Sequence, residues 1–254
     1  MKILFLGTGT STGIPQIGCA CEVCRSADER DKRFRSSVLV QTGNSNLLID
    51  CGPDFREQMV RNNISHLEGI VLTHEHYDHV SGLDEVRPLQ QVEVYAEERV
   101  LAVVKRNLHY VFSENPYPGA PKINLHQIEA GNEPFVAAGF TIQAIRLYHH
   151  KLPVLGYRIG NFAYLTDMST LDDSACEKLQ QLDVLALVAL RQFPHPAHMM
   201  LSESLTLIDK LKPKRTYLIH MSHDMGLHEV VQKSLPENVF LAWDGLEIEL
   251  ESKR

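Results

Sequence analysis

The sequence HEHYDH at residues 74–79 directly follows the apolar run GIVLT. A short apolar run of this kind predicts a buried strand, so the motif lies where a strand gives way to a loop and four side chains can converge. Imidazole and carboxylate groups are ligands for zinc, manganese or iron. Two such ions about 3.5–4 Å apart can share one activated hydroxide. His74 and His76 would hold one ion, and Asp78 with His79 the other.

The pattern along the whole chain of 254 residues predicts an α/β protein, and we expect one domain over residues 1–254. Predicted strands span residues 2–7, 37–42, 46–50, 69–73, 140–147, 155–159, 162–166, 184–190, 216–219 and 239–243. Predicted helices span residues 55–62, 97–108, 172–182 and 202–211, with Ser202 as the N-cap of the last. Early strands come in adjacent pairs and later ones alternate with helices, which favours two mixed sheets.

Composition excludes some classes of partner. The formal net charge of −7 argues against a broad basic face for long nucleic acid, whereas a metal pair would supply positive charge for a small anion. The apolar start, MKILFLGTGT, is too short to cross a membrane and lacks a signal cleavage pattern. We therefore expect a cytoplasmic protein without a membrane partner.

The pattern HxHxDH after a strand is similar to the signature of the metallo-β-lactamase superfamily. The resemblance implies an αββα sandwich, in which two mixed β-sheets are flanked by helices, and a hydrolase with two divalent ions, zinc or manganese. It also implies roles at later strand ends. Asp50 would steady the metal loop from behind the ligands. His149 would be the next ligand, with His150 as the alternative. Asp167 would bridge both ions, and His220 would be the last ligand.

A second candidate metal site starts from three of the five cysteines, Cys19, Cys21 and Cys24. Without a secretion signal, such clustering favours metal over disulfides. A structural zinc takes four ligands, and His223 would complete a Cys3His site. Three reduced cysteines in a surface loop are the competing interpretation. Cys51 and Cys176 have no partner at metal spacing and are expected to be small buried residues.

This combination resembles the phosphoribosyl cyclic phosphodiesterases of the carbon–phosphorus lyase pathway. His198, 22 residues before His220, matches the position of a catalytic histidine in that group, and Asp78 is the other residue assigned to catalysis. His198 would protonate the leaving alkoxide or steady the phosphoryl oxygens, and His195 competes for this role.

The resemblance implies hydrolysis of a small cyclic or simple phosphodiester, like a phosphoribosyl cyclic phosphate, by a hydroxide that bridges the two ions. A homodimer is expected by family analogy alone. The alternatives are an RNA-processing nuclease similar to tRNase Z and a non-catalytic scaffold of the same fold. The proline-rich loop at residues 113–121 is either a lid or interface, or an ordinary surface excursion.

Overall fold

Residues 1–250, described from a computed structural model, form two seven-stranded β-sheets with helices on their outer faces. The strands are β1 (Lys2–Gly7), β2 (Ser37–Thr42), β3 (Ser45–Ile49), β4 (Gly69–Val71), β5 (Val92–Ala96), β6 (Ile123–Gln127), β7 (Phe135–Ala137), β8 (Phe140–His149), β9 (Leu152–Ile159), β10 (Phe162–Leu165), β11 (Val184–Val188), β12 (Arg215–Ile219), β13 (Val239–Leu241) and β14 (Glu247–Glu249). The helices are α1 (Glu22–Arg25), α2 (Phe55–Arg61), α3 (Tyr77–Val80), α4 (Glu98–Asn107), α5 (Asp173–Lys178), α6 (Leu201–Leu211) and α7 (His228–Gln232).

Both sheets are mixed. The first has the order β14-β1-β2-β3-β4-β5-β6, and the second has the order β13-β12-β11-β10-β9-β8-β7. Strands joined by short turns pair antiparallel, as in β2–β3 and β8–β9. The parallel pairs are β3–β4, β4–β5, β5–β6, β10–β11, β11–β12 and β12–β13. A helix connects the strands of each, because a parallel pair needs a long crossover.

Alternation along the strands divides the apolar side chains between three layers. In β2, Val38 and Val40 join the cluster between the two sheets, whereas Leu39 joins the cluster beneath α2 and α4. A third cluster lies between the second sheet and α5, α6 and α7. Burying each such side chain contributes about 1.5–3 kcal/mol, which holds the layers together. The predicted αββα arrangement of two mixed sheets is confirmed.

The parallel strands bring several polar residues to one edge of the sandwich. Strands β3, β4, β10 and β12 end directly or shortly before Asp50, His74, Asp167 and His220, respectively. Carboxyl ends of parallel strands meet at the same edge of a sheet, where α/β folds form their binding crevices.

Several predicted boundaries were wrong. Ser202 does not cap its helix, because α6 begins at Leu201 and Met200 is the N-cap. The Met200 backbone N–H donates to the Glu203 carboxylate at 2.9 Å. The predicted helix at residues 172–182 ends at Lys178, and strands β5, β6, β7 and β14 were not predicted. Within residues 1–250, no helix is both long and apolar enough to cross a membrane.

Candidate metal centre

Asp167 lies at the centre of the candidate site, and its two carboxylate oxygens face two different groups of ligands. Oδ1 lies 3.3 Å from His79 Nε2 and 2.9 Å from His220 Nε2. Asp78 Oδ2 completes this first group, 3.1 Å from His79 Nε2. Oδ2 of Asp167 instead faces His74 Nε2, at 3.6 Å.

The second group contains His74 and His76, whose ligand atoms cluster with Asp167. Their ring centroids lie 4.5 Å apart, and those of His76 and His149 lie 5.1 Å apart. His149 is buried and lies beside both rings, while His150 is exposed in the turn after β8. The structure thus places His149, and not the alternative His150, with the other predicted ligands.

The carboxylate of Asp50 organises two of these histidines from behind. It accepts hydrogen bonds from His79 Nδ1 at 2.7 Å, from the Thr73 backbone N–H at 2.8 Å and from the Thr73 hydroxyl. The Thr73 hydroxyl in turn accepts from His74 Nδ1 at 3.0 Å. Each ring is therefore fixed in the tautomer that leaves Nε2 free to coordinate a metal. Sequence reasoning missed Thr73, although it directly precedes the motif.

Other backbone features hold the centre in shape. The His149 Nδ1–H donates to the Ala197 carbonyl at 2.7 Å, which leaves the Nε2 lone pair free for a ligand role. Asp50, Asp167 and His220 all have left-handed backbone, with φ of 63°, 44° and 57°. Such conformations cost on the order of 1–3 kcal/mol for non-glycine residues and concentrate at functional sites. A Cβ on Gly52 would lie 2.1 Å from the Asp78 carbonyl, so only glycine lets this loop approach.

The buried nitrogens test whether the site suits a metal. Within residues 1–250, Nε2 of His74, Nε2 of His79 and both ring nitrogens of His220 are buried without a hydrogen-bond partner. Leaving a buried polar group unpaired costs about 1–3 kcal/mol, and a coordinated cation removes that cost. Burial would raise the pKa of Asp167, but the charges of His220 and His79 hold it well below its usual range. The residues present fit divalent cations bound to imidazole and carboxylate.

His198 lies beside this centre. Its Nε2 is 3.3 Å from Asp167 Oδ2, and its Nδ1 is 3.1 Å from His195 Nδ1. The His195 Nδ1 accepts the Ala197 backbone N–H, so His198 is the donor in the contact between the two rings. Burial lowers the pKa of His198. The structure therefore places His198 against the central carboxylate, with His195 behind it.

The cysteine cluster and His223 also come together. The His223 Nδ1 lies 3.1 Å from Cys19 Sγ, 3.4 Å from Cys21 Sγ and 3.6 Å from Cys24 Sγ. The Cys24 backbone N–H is the main cause that lowers the pKa of Cys21 to about 6, which favours the thiolate that metals bind. These three thiols and one imidazole fit the Cys3His donor set that structural zinc sites use. Cys51 and Cys176 are buried, as expected.

Comparison with known proteins agrees with this geometry. The model of a family described as the β-lactamase superfamily domain matches residues 45–221. A crystal structure described as a new diphosphatase from the PhnP family is 41% identical, with a TM-score of 0.91, and the match covers 98% of each chain. The chain belongs to the β-lactamase superfamily and, within it, to the PhnP family. The resemblance stated from the HEHYDH motif is confirmed.

Two further similarities place this PhnP-family chain among its relatives. The octanoyltransferase of Porphyromonas gingivalis is 41% identical over 258 residues, which cover 100% of this chain but 52% of that protein. The chain therefore spans about half the length of that relative. The zinc-bound structure of PqqB from Methylobacterium extorquens is 20% identical with a TM-score of 0.81, over 98% of this chain and 100% of that one, which shows a shared fold.

Proposed function

We propose that this chain is a hydrolase of phosphoric diesters that uses two divalent metal ions, and that small cyclic or simple phosphodiesters are its substrates. A phosphoribosyl cyclic phosphate has the required chemistry. His74 and His76 would hold one ion together with His149, whose ring lies beside theirs, and Asp78, His79 and His220 would hold the other. A structural zinc would occupy the Cys3His site.

One observation carries the proposal: the two oxygens of Asp167 face different sets of histidines. Asp167 would therefore contribute one carboxylate oxygen to each of two cations. Such cations would supply positive charge to the phosphoryl oxygens and would activate water as the nucleophile. The net charge of −7 does not oppose an anionic substrate, because local charges at such a site are dominated by the ions.

The chain's own acid in this reaction would be His198. Its ring faces Asp167, and His195 accepts the Nδ1 proton, so Nε2 is the nitrogen presented to the site. Burial lowers the pKa of this ring, and the hydrogen bond to the Asp167 carboxylate acts in the opposite direction. The negative charge of a bound diester favours the imidazolium form, which donates a proton from Nε2 to the departing alkoxide.

Cleavage of a diphosphate bond is the second candidate function, and the solved PhnP-family diphosphatase favours it. Both reactions break a phosphorus–oxygen bond at a phosphoryl group with anionic oxygens, so the same residues would serve either one. An RNA-processing nuclease is less well supported, because a net charge of −7 offers no excess of cations for phosphate contacts along a long strand.

A hydrolysis panel tests the proposal. The protein, loaded with Zn, Mn or Ni, is offered cyclic phosphates, bis-p-nitrophenyl phosphate, a nucleoside diphosphate, pre-tRNA and a β-lactam. We expect turnover of the phosphodiesters and its loss in His76→Ala. Turnover of the nucleoside diphosphate alone would select the second candidate. Turnover of the β-lactam alone, or no turnover with any metal, would overturn the proposal.

A further inference from the structure

We propose that Arg99 is a positioning residue. It would hold His76, in the loop after β4, and His149, at the end of β8, in the relative position in which both bind the same ion. The inference rests on the proposed metal centre but not on its substrate. Arg99 lies in the first turn of α4, outside the cluster of candidate ligands. Its guanidinium connects the HEHYDH loop of the first sheet to the β8–β9 hairpin of the second.

The contacts form a continuous chain between the sheets. One end of the Arg99 guanidinium pairs with the carboxylate of Glu75, which lies between His74 and His76 in the sequence. The other end donates to the Pro153 carbonyl at 2.5 Å. Pro153 on β9 pairs with Tyr148 on β8, and the next pair along the two strands is Leu152 with His149.

The link is anchored on the helix side as well. The Glu97 carboxylate lies 3.9 Å from Arg99 Nη2 and accepts a hydrogen bond from Arg146 Nη1 at 2.9 Å. Arg146 belongs to β8, the strand that ends at His149. The side chains of Glu75, Glu97 and Arg146 are 19%, 14% and 26% exposed, so water screens this network only in part.

The position of the link explains why it would affect one ion. Deeper in the sandwich, the Leu155 N–H donates to the Thr73 carbonyl and the Tyr157 hydroxyl donates to the Leu72 carbonyl. Those bonds fix the base of the loop near His74. His76 lies further out and is exposed, so it depends more on the outer contacts. Arg99 holds the residue next to His76 at a set distance from the hairpin that carries His149.

Arg99 lies at a position in α4 that is unfavourable for a cation. A cation in the first turn of a helix faces the positive end of the dipole and is unfavourable there. Arg99 occupies this place even so, beside the acidic Glu97 and Glu98. A local conflict of this kind is expected where a residue serves the site and not its own helix.

The test measures Co(II) binding by absorption. Thiolate charge-transfer bands report the Cys3His site separately from the two active-site ions. We expect Arg99→Met to lower the affinity for Co(II) at one of the two active-site positions on the order of 10-fold. This is the lower end of the range for groups that orient metal ligands. Glu75→Gln removes the other partner of the Arg99–Glu75 pair and should lower the affinity for the same ion. Arg99→Lys keeps the positive charge and should restore part of that affinity. Lys210→Met, which removes an exposed pair with Asp173, is the matched control and should change nothing.

A double-mutant comparison identifies the ion. On a His76→Ala background, Arg99→Met should have no further effect, whereas on a His220→Ala background it should weaken the remaining ion as before. Unchanged affinities in both Arg99→Met and Glu75→Gln would overturn the inference. If Arg99→Met does not fold, Glu75→Gln decides. Wild-type protein that binds no active-site cobalt would refute the metal centre itself, which is a different result.

Discussion

Replacing Asp50 by asparagine tests how the site holds its ligands. Asp50 is fully buried, and both its oxygens accept hydrogen bonds, from Thr73 and from His79 Nδ1. Asparagine has the same shape and tolerates the left-handed φ of 63°. It has only one acceptor oxygen, so its amide group must face a donor on Thr73 or on His79.

The expected size follows from the hydrogen bond that is lost. A hydrogen bond to a charged group contributes about 1.5–3 kcal/mol. If that loss falls on the metal-bound state, affinity for the ion held by His79 drops about 10–100-fold, at about 1.4 kcal/mol for each factor of ten. Removing groups that orient metal ligands has effects of the same size.

The assay is competition for Zn(II) between the protein and a chromophoric chelator, with thermal unfolding as a check on the fold. Asp173→Asn is the matched control, because Asp173 is exposed and pairs only at the surface with Lys210. Its zinc affinity should equal that of the wild type. An Asp50→Asn protein that folds and binds zinc with wild-type affinity would refute the role assigned to this carboxylate.

Three further predictions concern the Cys3His site, the proposed acid His198 and the dependence of stability on pH. Cys21→Ser should lower the zinc content by one ion per chain and increase protease cleavage near residues 14–28; an unchanged zinc count contradicts the Cys3His site. His198→Asn should slow hydrolysis of an alkyl phosphodiester about 10²–10⁴-fold, and that of a p-nitrophenyl ester much less, since nitrophenolate needs no proton; equal losses would exclude an acid role. Burial and the charge of Arg33 lower the pKa of His228 to about 4. Below pH about 6.5 the unfolded chain therefore binds a proton that the folded protein rejects. Stability should fall toward pH 4, by up to about 3 kcal/mol from this group. Denaturant titrations should show a weaker acid dependence in His228→Gln.

The structure brings the residues proposed as ligands together at one edge of the sandwich, for a physical reason. Strand periodicity places residues such as Asp167 and His220 at strand ends, and parallel pairing then brings strand ends to one edge of a sheet. His150 follows His149 directly, but in the structure it takes a left-handed turn conformation with φ of 55° and is exposed. The choice between adjacent histidines thus depended on the family resemblance and not on periodicity.

Two of the missed strands have weak patterns. Strand β6 is an edge strand in which exposed Asn124 and His126 alternate with partly buried residues, and β14 has three residues. Neither has an apolar run long enough to stand out. The pairing of Glu75 with Arg99 could not be predicted either, because it depends on how α4 and the two sheets pack together.

The proposed reaction requires two ions that share Asp167. The direct test adds Mn(II) stepwise to protein prepared with zinc at the Cys3His cluster and no ion in the active site, and follows hydrolysis of bis-p-nitrophenyl phosphate. We expect activity to rise steeply with the second equivalent and to reach a plateau at two ions per chain. Full activity at one equivalent, or two bound ions with no hydrolysis of any phosphoester, would contradict it.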